Sequence, residues 1–155
     1  MKQSKELFWK TFENKKVIVT GHTGFKGSWL SIWLYSLGAK VFGLSESIPT
    51  NPSNFKACKL EDKLVDFRVN ICDTEKVKKI IQDIKPDFIF HLAAQSLVKV
   101  SYENPLLTWN TNTLGTVSIL EALKSISNNC ISIFITSDKC YKNLEWEWGY
   151  RENDR

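Results

Sequence analysis

Short β-branched segments alternate with helical segments along the whole chain, and this alternation restricts the fold more than any other feature. Strands that are separated by helices in this way form a parallel sheet with right-handed crossovers. The sequence therefore predicts an α/β fold with a doubly wound parallel sheet. The predicted strands cover residues 17–20, 39–45, 64–70, 86–94 and 130–136.

The helices have recognisable starts and stops. Gly38 is expected to end the helix after the first strand, and Asp73 with Thr74 caps a helix that Pro86 follows. A long helix is predicted from about residue 105 to Asn128 and Asn129. We expect a short helix within 47–62, a lead-in helix over residues 1–15, and one partial domain over 16–155.

Composition excludes several classes of protein. The chain is 43% hydrophobic and 25% charged, and no apolar run approaches the ~20 residues that cross a bilayer. Its four cysteines form no C-x-x-C pair, so neither a metal site nor a disulfide framework is indicated, which fits a reducing cytoplasm. The net charge of +4 comes from scattered lysines, which argues against nucleic-acid binding.

The first strand leads directly into a glycine-rich turn, "TGHTGFKG", before an apolar-periodic helix. Gly21, Gly24 and Gly27 have the uses expected at a dinucleotide site: a tight turn, close approach of the backbone to a pyrophosphate, and close packing of helix on strand. We therefore predict that residues 16–155 are a partial dinucleotide-binding domain with a Rossmann-type sheet in the order 3-2-1-4-5. The alternative is a structural glycine turn in a flavodoxin-like protein.

The residues alone leave the choice between NAD and NADP open. The second strand usually ends in an acid that binds the adenosine ribose and repels the phosphate of NADP. Here Ser45 occupies that position and Glu46 follows it. Ser45 can bind a ribose hydroxyl without excluding a phosphate, and Lys26 in the glycine turn favours one.

The fifth predicted strand ends in a hydroxyl, an acid and an amine: Ser137, Asp138 and Lys139. Strand alternation would place Asp138 on the opposite face from its two neighbours. A strand that ends near Ser137 removes this restriction and lets the three side chains converge. A solvated ion pair at the end of a strand is the alternative interpretation.

Four motifs occur in a characteristic order: "TGHTGFKG", "HLAAQSLV", "NTNTLGT" and "TSDKCY". In this order they resemble the sugar-nucleotide enzymes of the extended short-chain dehydrogenase/reductase superfamily. The longer segments "SLVKVSYENPLLTWNTNTLGT" and "SDKCYKNLEWEWGYRENDR" resemble the CDP-glucose 4,6-dehydratase family within it. The resemblance implies NAD as cofactor, CDP-glucose as substrate, a role in deoxysugar and O-antigen biosynthesis, and a dimer or tetramer.

The resemblance also implies roles for individual residues. Ser45 would lie near the adenosine ribose, although the superfamily usually has an acid there. Asn112 would belong to the helix that supports the central sheet. The cofactor-binding residues implied are Gly21, His22, Gly24, Phe25, Lys26, Gly27, Ser45, Asn70 and Ile71 beside the adenine, Leu92, Ala93 and Ala94 beside the nicotinamide, and Asn112.

In the 4,6-dehydratases that the chain resembles, C4 of a hexose is oxidised, water leaves across C5 and C6, and the hydride returns to C6. The resemblance implies that Ser137 binds the C4 oxygen, that Asp138 is the acid, and that Lys139 is the base at C5. An ammonium cannot accept a proton, so the pKa of Lys139 would have to fall from about 10.4 toward 7.

The superfamily's Tyr-x-x-x-Lys pair does not occur in these 155 residues. The four tyrosines are followed four positions later by Ala39, Leu106, Glu145 and Asp154. We therefore expect an N-terminal fragment that is inactive alone, truncated before the remaining strands and the substrate domain. Another nucleotide-sugar epimerase or dehydratase, and a non-catalytic dinucleotide-binding module, are the alternatives.

Overall fold

A computed structural model describes residues 10–155, apart from the side chain of Asp138. Within these residues five parallel strands form one sheet in the order β3-β2-β1-β4-β5. The predicted fold class and strand order are confirmed. Most of the predicted lead-in helix lies outside the described residues. The strands are β1 (Lys16–Thr20), β2 (Lys40–Ser45), β3 (Val65–Arg68), β4 (Phe88–His91) and β5 (Ile131–Phe134).

Helices cover both faces of the sheet. Two short 3₁₀ turns are also present: Leu60–Asp62 follows the short helix Asn54–Ala57, and Asp138–Cys140 follows β5. The helices are α1 (Phe25–Ser36), α2 (Asn54–Ala57), α3 (Thr74–Ile84), α4 (Val98–Glu103), α5 (Pro105–Trp109), a π-helical segment (Asn110–Leu114) and α6 (Gly115–Leu123).

The long helix between β4 and β5 is shorter than the sequence predicts. The backbone stays helical from α5 through the π-helical segment into α6, so these three pieces form one continuous helix. It ends at Leu123, and the predicted end at Asn128 is wrong. The Asn128 amide instead donates a hydrogen bond of 2.9 Å to the Pro86 carbonyl oxygen, which fastens the connection to β5.

The predicted starts and stops of the other helices are confirmed. The Asp73 carboxylate accepts a hydrogen bond from the Lys76 backbone N–H at 3.2 Å and so caps α3. Gly38 has a φ of +80°, a left-handed conformation that favours glycine, and it follows Leu37, the C-cap of α1.

The core divides into two layers because neighbouring residues of each buried strand face opposite sides of the sheet. Ile18 packs with residues of α3 and α6, whereas Val17 and Val19 pack with Leu34 of α1. Small residues let α1 approach the sheet, and its buried positions include Gly27, Ser28 and Ser31.

Two tryptophans of α1 show the limit of the apolar periodicity. Trp29 and Trp33 are spaced like core residues, but they are 54% and 51% exposed. Glycine and serine occupy the face of the first turns of α1 that meets the sheet, and Leu34 extends this face, so the two tryptophans lie outside it.

Candidate functional site

The glycine turn has the geometry of an anion cradle. Gly21 has a φ of +71°, and the Gly24 N–H donates to the Gly21 carbonyl oxygen at 3.0 Å. A Cβ at Gly27 would collide with that same carbonyl. Gly24 is the N-cap of α1 and offers no side chain to the first-turn N–H groups, which suits a phosphate at this helix end.

The glycine turn lies directly against the turn that follows β4. A Cβ at Gly21 would lie 2.9 Å from the Ala93 nitrogen and 3.1 Å from the Leu92 carbonyl carbon. The hydroxyl of Thr20 accepts hydrogen bonds from the Leu92 and Ala93 N–H groups at 3.1 and 3.0 Å. The structure therefore brings together the residues predicted for the pyrophosphate and for the nicotinamide.

A hydroxyl cluster occupies the end of β2. The Ser45 Oγ lies 2.7 Å from the Thr23 Oγ1, and Thr23 donates to the Ser47 carbonyl oxygen at 2.6 Å. The Glu46 carboxylate accepts a hydrogen bond of 3.2 Å from the Asn70 amide. The acid that follows Ser45 is thus joined to the residue predicted beside the adenine.

The predicted adenine side opens into a groove between the end of β3 and the long helix. The groove has a volume of about 430 Å³, and Asn70, Cys72, Asn110 and Leu114 contribute to its lining. Ile71 is buried, and a Cβ at Gly115 would lie 2.5 Å from its Cδ1 atom. Close packing of Gly115 on Ile71 therefore sets the distance between the turn after β3 and α6, which together line this groove.

The side chain of His22 anchors the glycine turn to β3. Its ring is fully buried, and its Nε2 lies 3.0 Å from the Asp66 Oδ1. The Arg68 guanidinium binds the other Asp66 oxygen at 2.6 Å. Burial lowers the pKa of His22, and the nearby Asp66 carboxylate opposes this shift. Only the backbone of His22 is left to contact a cofactor, whereas Phe25 and Lys26 lie exposed in the first turn of α1.

Asn112 ties the long helix to the turn after β4. Its amide oxygen accepts a hydrogen bond of 2.7 Å from the Gln95 N–H, and its amide nitrogen donates 2.9 Å to the Gln95 carbonyl oxygen. Ala94 lies exposed immediately before Gln95. Asn112 therefore holds the predicted nicotinamide turn in place.

The hydroxyl, acid and amine of the last motif lie beyond the end of a strand. β5 ends at Phe134, which pairs with His91 at the end of β4, so Ser137 and Leu92–Ala94 both follow the carboxyl ends of neighbouring parallel strands. The Lys139 N–H donates to the Ser137 Oγ at 3.1 Å. Strand alternation therefore does not separate these residues. The Lys139 side chain is exposed.

Sequence reasoning missed the polar residues that support these turns. Thr20 and His91 are the last residues of β1 and β4, and both are buried. Their signal in the sequence is a polar residue at the end of an apolar strand, "KVIVT" and "FIFH". Thr23 lies between the glycines and gives no comparable signal.

Neither a metal site nor a membrane-spanning helix is found among the described residues, 10–155. No group of three or more histidine, cysteine, aspartate or glutamate side chains is arranged to hold a metal ion there. None of the helices within that range has the length and apolar content needed to cross a membrane.

Comparison with known sequences identifies similar proteins along nearly the whole chain. Residues 18–154 match the family described as GDP-mannose 4,6 dehydratase. A CDP-glucose 4,6-dehydratase of Salmonella typhimurium is 50% identical over 147 residues, which are 95% of this chain and 40% of that protein. A GDP-mannose 4,6-dehydratase of Vibrio cholerae is 32% identical over 71% of this chain and 31% of its own length. The chain thus spans less than half of these relatives.

Solved structures share the fold. An epimerase from Methanothermobacter thermautotrophicus superposes with a TM-score of 0.79 at 26% identity, over 94% of this chain and 42% of that one. A Thermus thermophilus UDP-glucose 4-epimerase in complex with NAD gives 0.63 at 34% identity, over 70% of this chain and 33% of that one.

Proposed function

The chain belongs to the GDP-mannose 4,6 dehydratase family, and on this premise we propose that it forms the NAD-binding part of a CDP-glucose 4,6-dehydratase. The observation that carries the proposal is the contact of Gly21 with Ala93, which joins a phosphate cradle to the turn beside a nicotinamide. Identity of 50% to the Salmonella typhimurium enzyme supports CDP-glucose as the substrate.

The residues of this chain fit a dinucleotide. First-turn N–H groups of α1 bind the pyrophosphate, because the N-cap Gly24 has no side chain to cap or cover them. The absence of a side chain at Gly27 lets the helix start lie against Gly21. The Ser45 hydroxyl, which the buried Thr23 hydroxyl contacts at 2.7 Å, binds the adenosine ribose. The Thermus thermophilus structure, which is in complex with NAD, supports NAD over NADP.

Bound NAD supplies the removal of hydride from C4 of the hexose and its return to C6. Ser137 hydrogen-bonds the C4 oxygen, which orients the sugar. Oxidation at C4 acidifies the C5 hydrogen, and Lys139 in its neutral form takes this proton. Asp138 gives a proton to the departing C6 hydroxyl, so water leaves as a neutral molecule. Lys139, now an ammonium, gives a proton back to C5 when hydride is returned to C6.

We further propose that the whole protein is a cytoplasmic homo-oligomer in deoxysugar and O-antigen biosynthesis. Tyr102, Leu106 and Trp109 of the helices after β4 are exposed apolar residues, as expected where subunits pair through long helices. An epimerase acting on a nucleotide sugar is the second candidate, because the solved structures cited are epimerases. An epimerase product keeps its C6 hydroxyl, whereas a 4,6-dehydratase product is a 4-keto-6-deoxy sugar.

The experiment is a calorimetric titration of the chain with NAD and with NADP. We expect NAD to bind more tightly and Gly24→Val to abolish binding without unfolding, because a Cβ there meets only the Gly21 carbonyl oxygen, at 3.3 Å. Gly149→Val is the matched control, since a Cβ at Gly149 has nothing within 4 Å. Equal NAD affinity of the Gly24→Val and Gly149→Val variants would contradict the proposal.

A further inference from the structure

A continuous set of hydrogen bonds joins β1, β4 and the long helix through His91. The His91 Nδ1 lies 2.8 Å from the Thr20 Oγ1, and its Nε2 lies 3.2 Å from the Thr116 Oγ1. The Thr116 hydroxyl in turn donates a hydrogen bond of 2.7 Å to the carbonyl oxygen of Asn112, which lies inside the π-helical segment. The His91 ring is therefore the bridge between the turn after β4 and that segment.

The neighbours of His91 fix the position of its hydrogen. The Thr116 hydroxyl donates its one hydrogen to the Asn112 carbonyl oxygen, so its own oxygen must accept a hydrogen bond from the His91 Nε2. Thr20 already accepts from the Leu92 and Ala93 N–H groups, so its hydrogen goes to the His91 Nδ1. Each hydroxyl hydrogen in the set then has an acceptor, and the imidazole carries its hydrogen on Nε2. The Leu92 N–H also donates to the Thr20 carbonyl oxygen, at 3.3 Å.

We infer that His91 is a positioning residue: as the neutral imidazole with its hydrogen on Nε2, it joins the turn at 92–95 to the π-helical segment and so fixes that turn against Gly21. The inference rests on the proposed function where it assigns this turn to the nicotinamide. A second hydrogen on Nδ1 would compete with the Leu92 and Ala93 N–H groups for the lone pairs of the Thr20 hydroxyl oxygen. Burial agrees, since it lowers the pKa of His91 to about 4.

Two more contacts attach the same turn to the long helix. Asn112 binds the N–H and the carbonyl oxygen of Gln95, and the Gln95 amide nitrogen donates 3.0 Å to the Thr108 Oγ1. With His91 and Thr116, the turn at 92–95 is held at three positions of one helix. A change in the π-helical segment is therefore transmitted to the turn.

The first test reads the imidazole directly. The chain has two histidines, so a ¹⁵N-histidine NMR spectrum contains two rings, and His22→Gln assigns them. At pH 7 we expect the His91 Nε2 to carry the hydrogen and the Nδ1 to be bare. A His91 that is protonated on Nδ1, or on both nitrogens, would overturn the inference.

The second test measures backbone hydrogen exchange in the turn. Thr116→Val removes the acceptor for His91, and we expect the Ala93 and Gln95 amides to exchange about five- to tenfold faster, as for the loss of one hydrogen bond. Thr116→Ser should restore the slow exchange. Thr113→Val is the matched control, because Thr113 is exposed in the same π-helical segment. Exchange in Thr116→Val that equals the Thr113→Val rate would overturn the inference.

NAD titration of the same variants separates the inference from the proposed function. We expect Thr116→Val to weaken NAD binding several-fold and Thr113→Val to leave it unchanged. A wild-type chain that binds no NAD contradicts the proposed function, and the NMR and exchange results still decide the role of His91.

Discussion

His22 and Gly43 share one space at the base of the glycine turn. A Cβ at Gly43 would overlap the His22 ring, which cannot move away because Asp66 holds its Nε2 and Phe55 packs edge-on against it at 5.3 Å. We expect Gly43→Ala to lower the free energy of unfolding by about 2 kcal/mol through overpacking. Urea denaturation measures this change.

A double substitution isolates the contact. In a His22→Ala background the ring is absent, so Gly43→Ala should cost clearly less than it does in the wild type. Gly149→Ala is the control, and it should change stability by no more than about 0.5 kcal/mol. Additive costs in the double variant would show that the ring and the Cβ do not compete.

Both buried histidines make the fold sensitive to mild acid. Burial lowers the pKa of His91 to about 4 and also lowers the pKa of His22, whereas an unfolded histidine titrates near 6.5. A lowered folded pKa means that stability is complete above pH 6.5 and is lost as the pH falls toward 4. His91 alone should cost about 2 kcal/mol between pH 7 and pH 5.

Urea midpoints between pH 7 and pH 5 check this prediction. Carboxylates with lowered pKa values, such as Asp73 and Glu61, lose their contribution to the free energy of unfolding at more acidic pH. Between pH 7 and pH 5 the change in stability therefore comes from the histidines. His91→Phe should flatten the dependence. A wild-type midpoint that stays constant from pH 7 to pH 5 would contradict the prediction.

At the scale of single residues the sequence identifies backbone requirements better than side-chain partners. Gly21 and Gly27 are recognisable because a turn and a close approach admit little else. Thr20, His91 and Thr116 are not, since their hydrogen bonds join positions 71 and 25 residues apart. Only the folded sheet and helix show that these residues meet.

The long helix after β4 depends on its N-cap. The Asn104 amide oxygen accepts a hydrogen bond of 3.1 Å from the Leu107 N–H, and Pro105 begins the helix with a ring that needs no N–H partner. We expect Asn104→Ala to destabilise the chain by about 1 kcal/mol, and Asn104→Asp to retain most of the stability. Thermal unfolding compares the two variants, and an equal loss in both would count against the cap.

The sequence predicts which segments are helices and strands better than it predicts where each one ends. The caps at Asp73 and Gly38 mark helix boundaries because each satisfies backbone groups locally. The π-helical segment and the end of the long helix at Leu123 depend on tertiary contacts, among them Thr116 with His91 and Asn128 with Pro86. Local periodicity carries no information about such contacts, so the predicted helix ran too far.

At the scale of the whole molecule, the alternation of strands and helices was enough to predict the parallel sheet and the order 3-2-1-4-5. Right-handed crossovers leave few other arrangements, and the glycine turn marks the strand from which the two halves diverge. The catalytic geometry was less predictable. β5 ends three residues before Ser137, and a 3₁₀ turn then carries Lys139 to an exposed position.

The activity of the chain can be tested alone and within a longer relative. We expect the chain alone to form no 4-keto-6-deoxy sugar from CDP-glucose and NAD, because it contains no Tyr-x-x-x-Lys pair to remove the C4 hydroxyl proton. A chimera in which it replaces the matching part of the Salmonella typhimurium relative should form this product, given the 50% identity. Product from the chain alone, detected by mass spectrometry, would contradict this prediction.

The same chimera tests the base. Lys139→Met removes the amine but leaves the Lys139 backbone contact to Ser137 available, so C4 oxidation should continue while elimination of water stops. Lys142→Met, an exposed lysine three residues away, is the matched control and should keep full activity. Solvent deuterium should then enter C5 in the control and not in Lys139→Met. Exchange at C5 at the normal rate in Lys139→Met would assign the base to another residue, since proton removal at C5 precedes the loss of water.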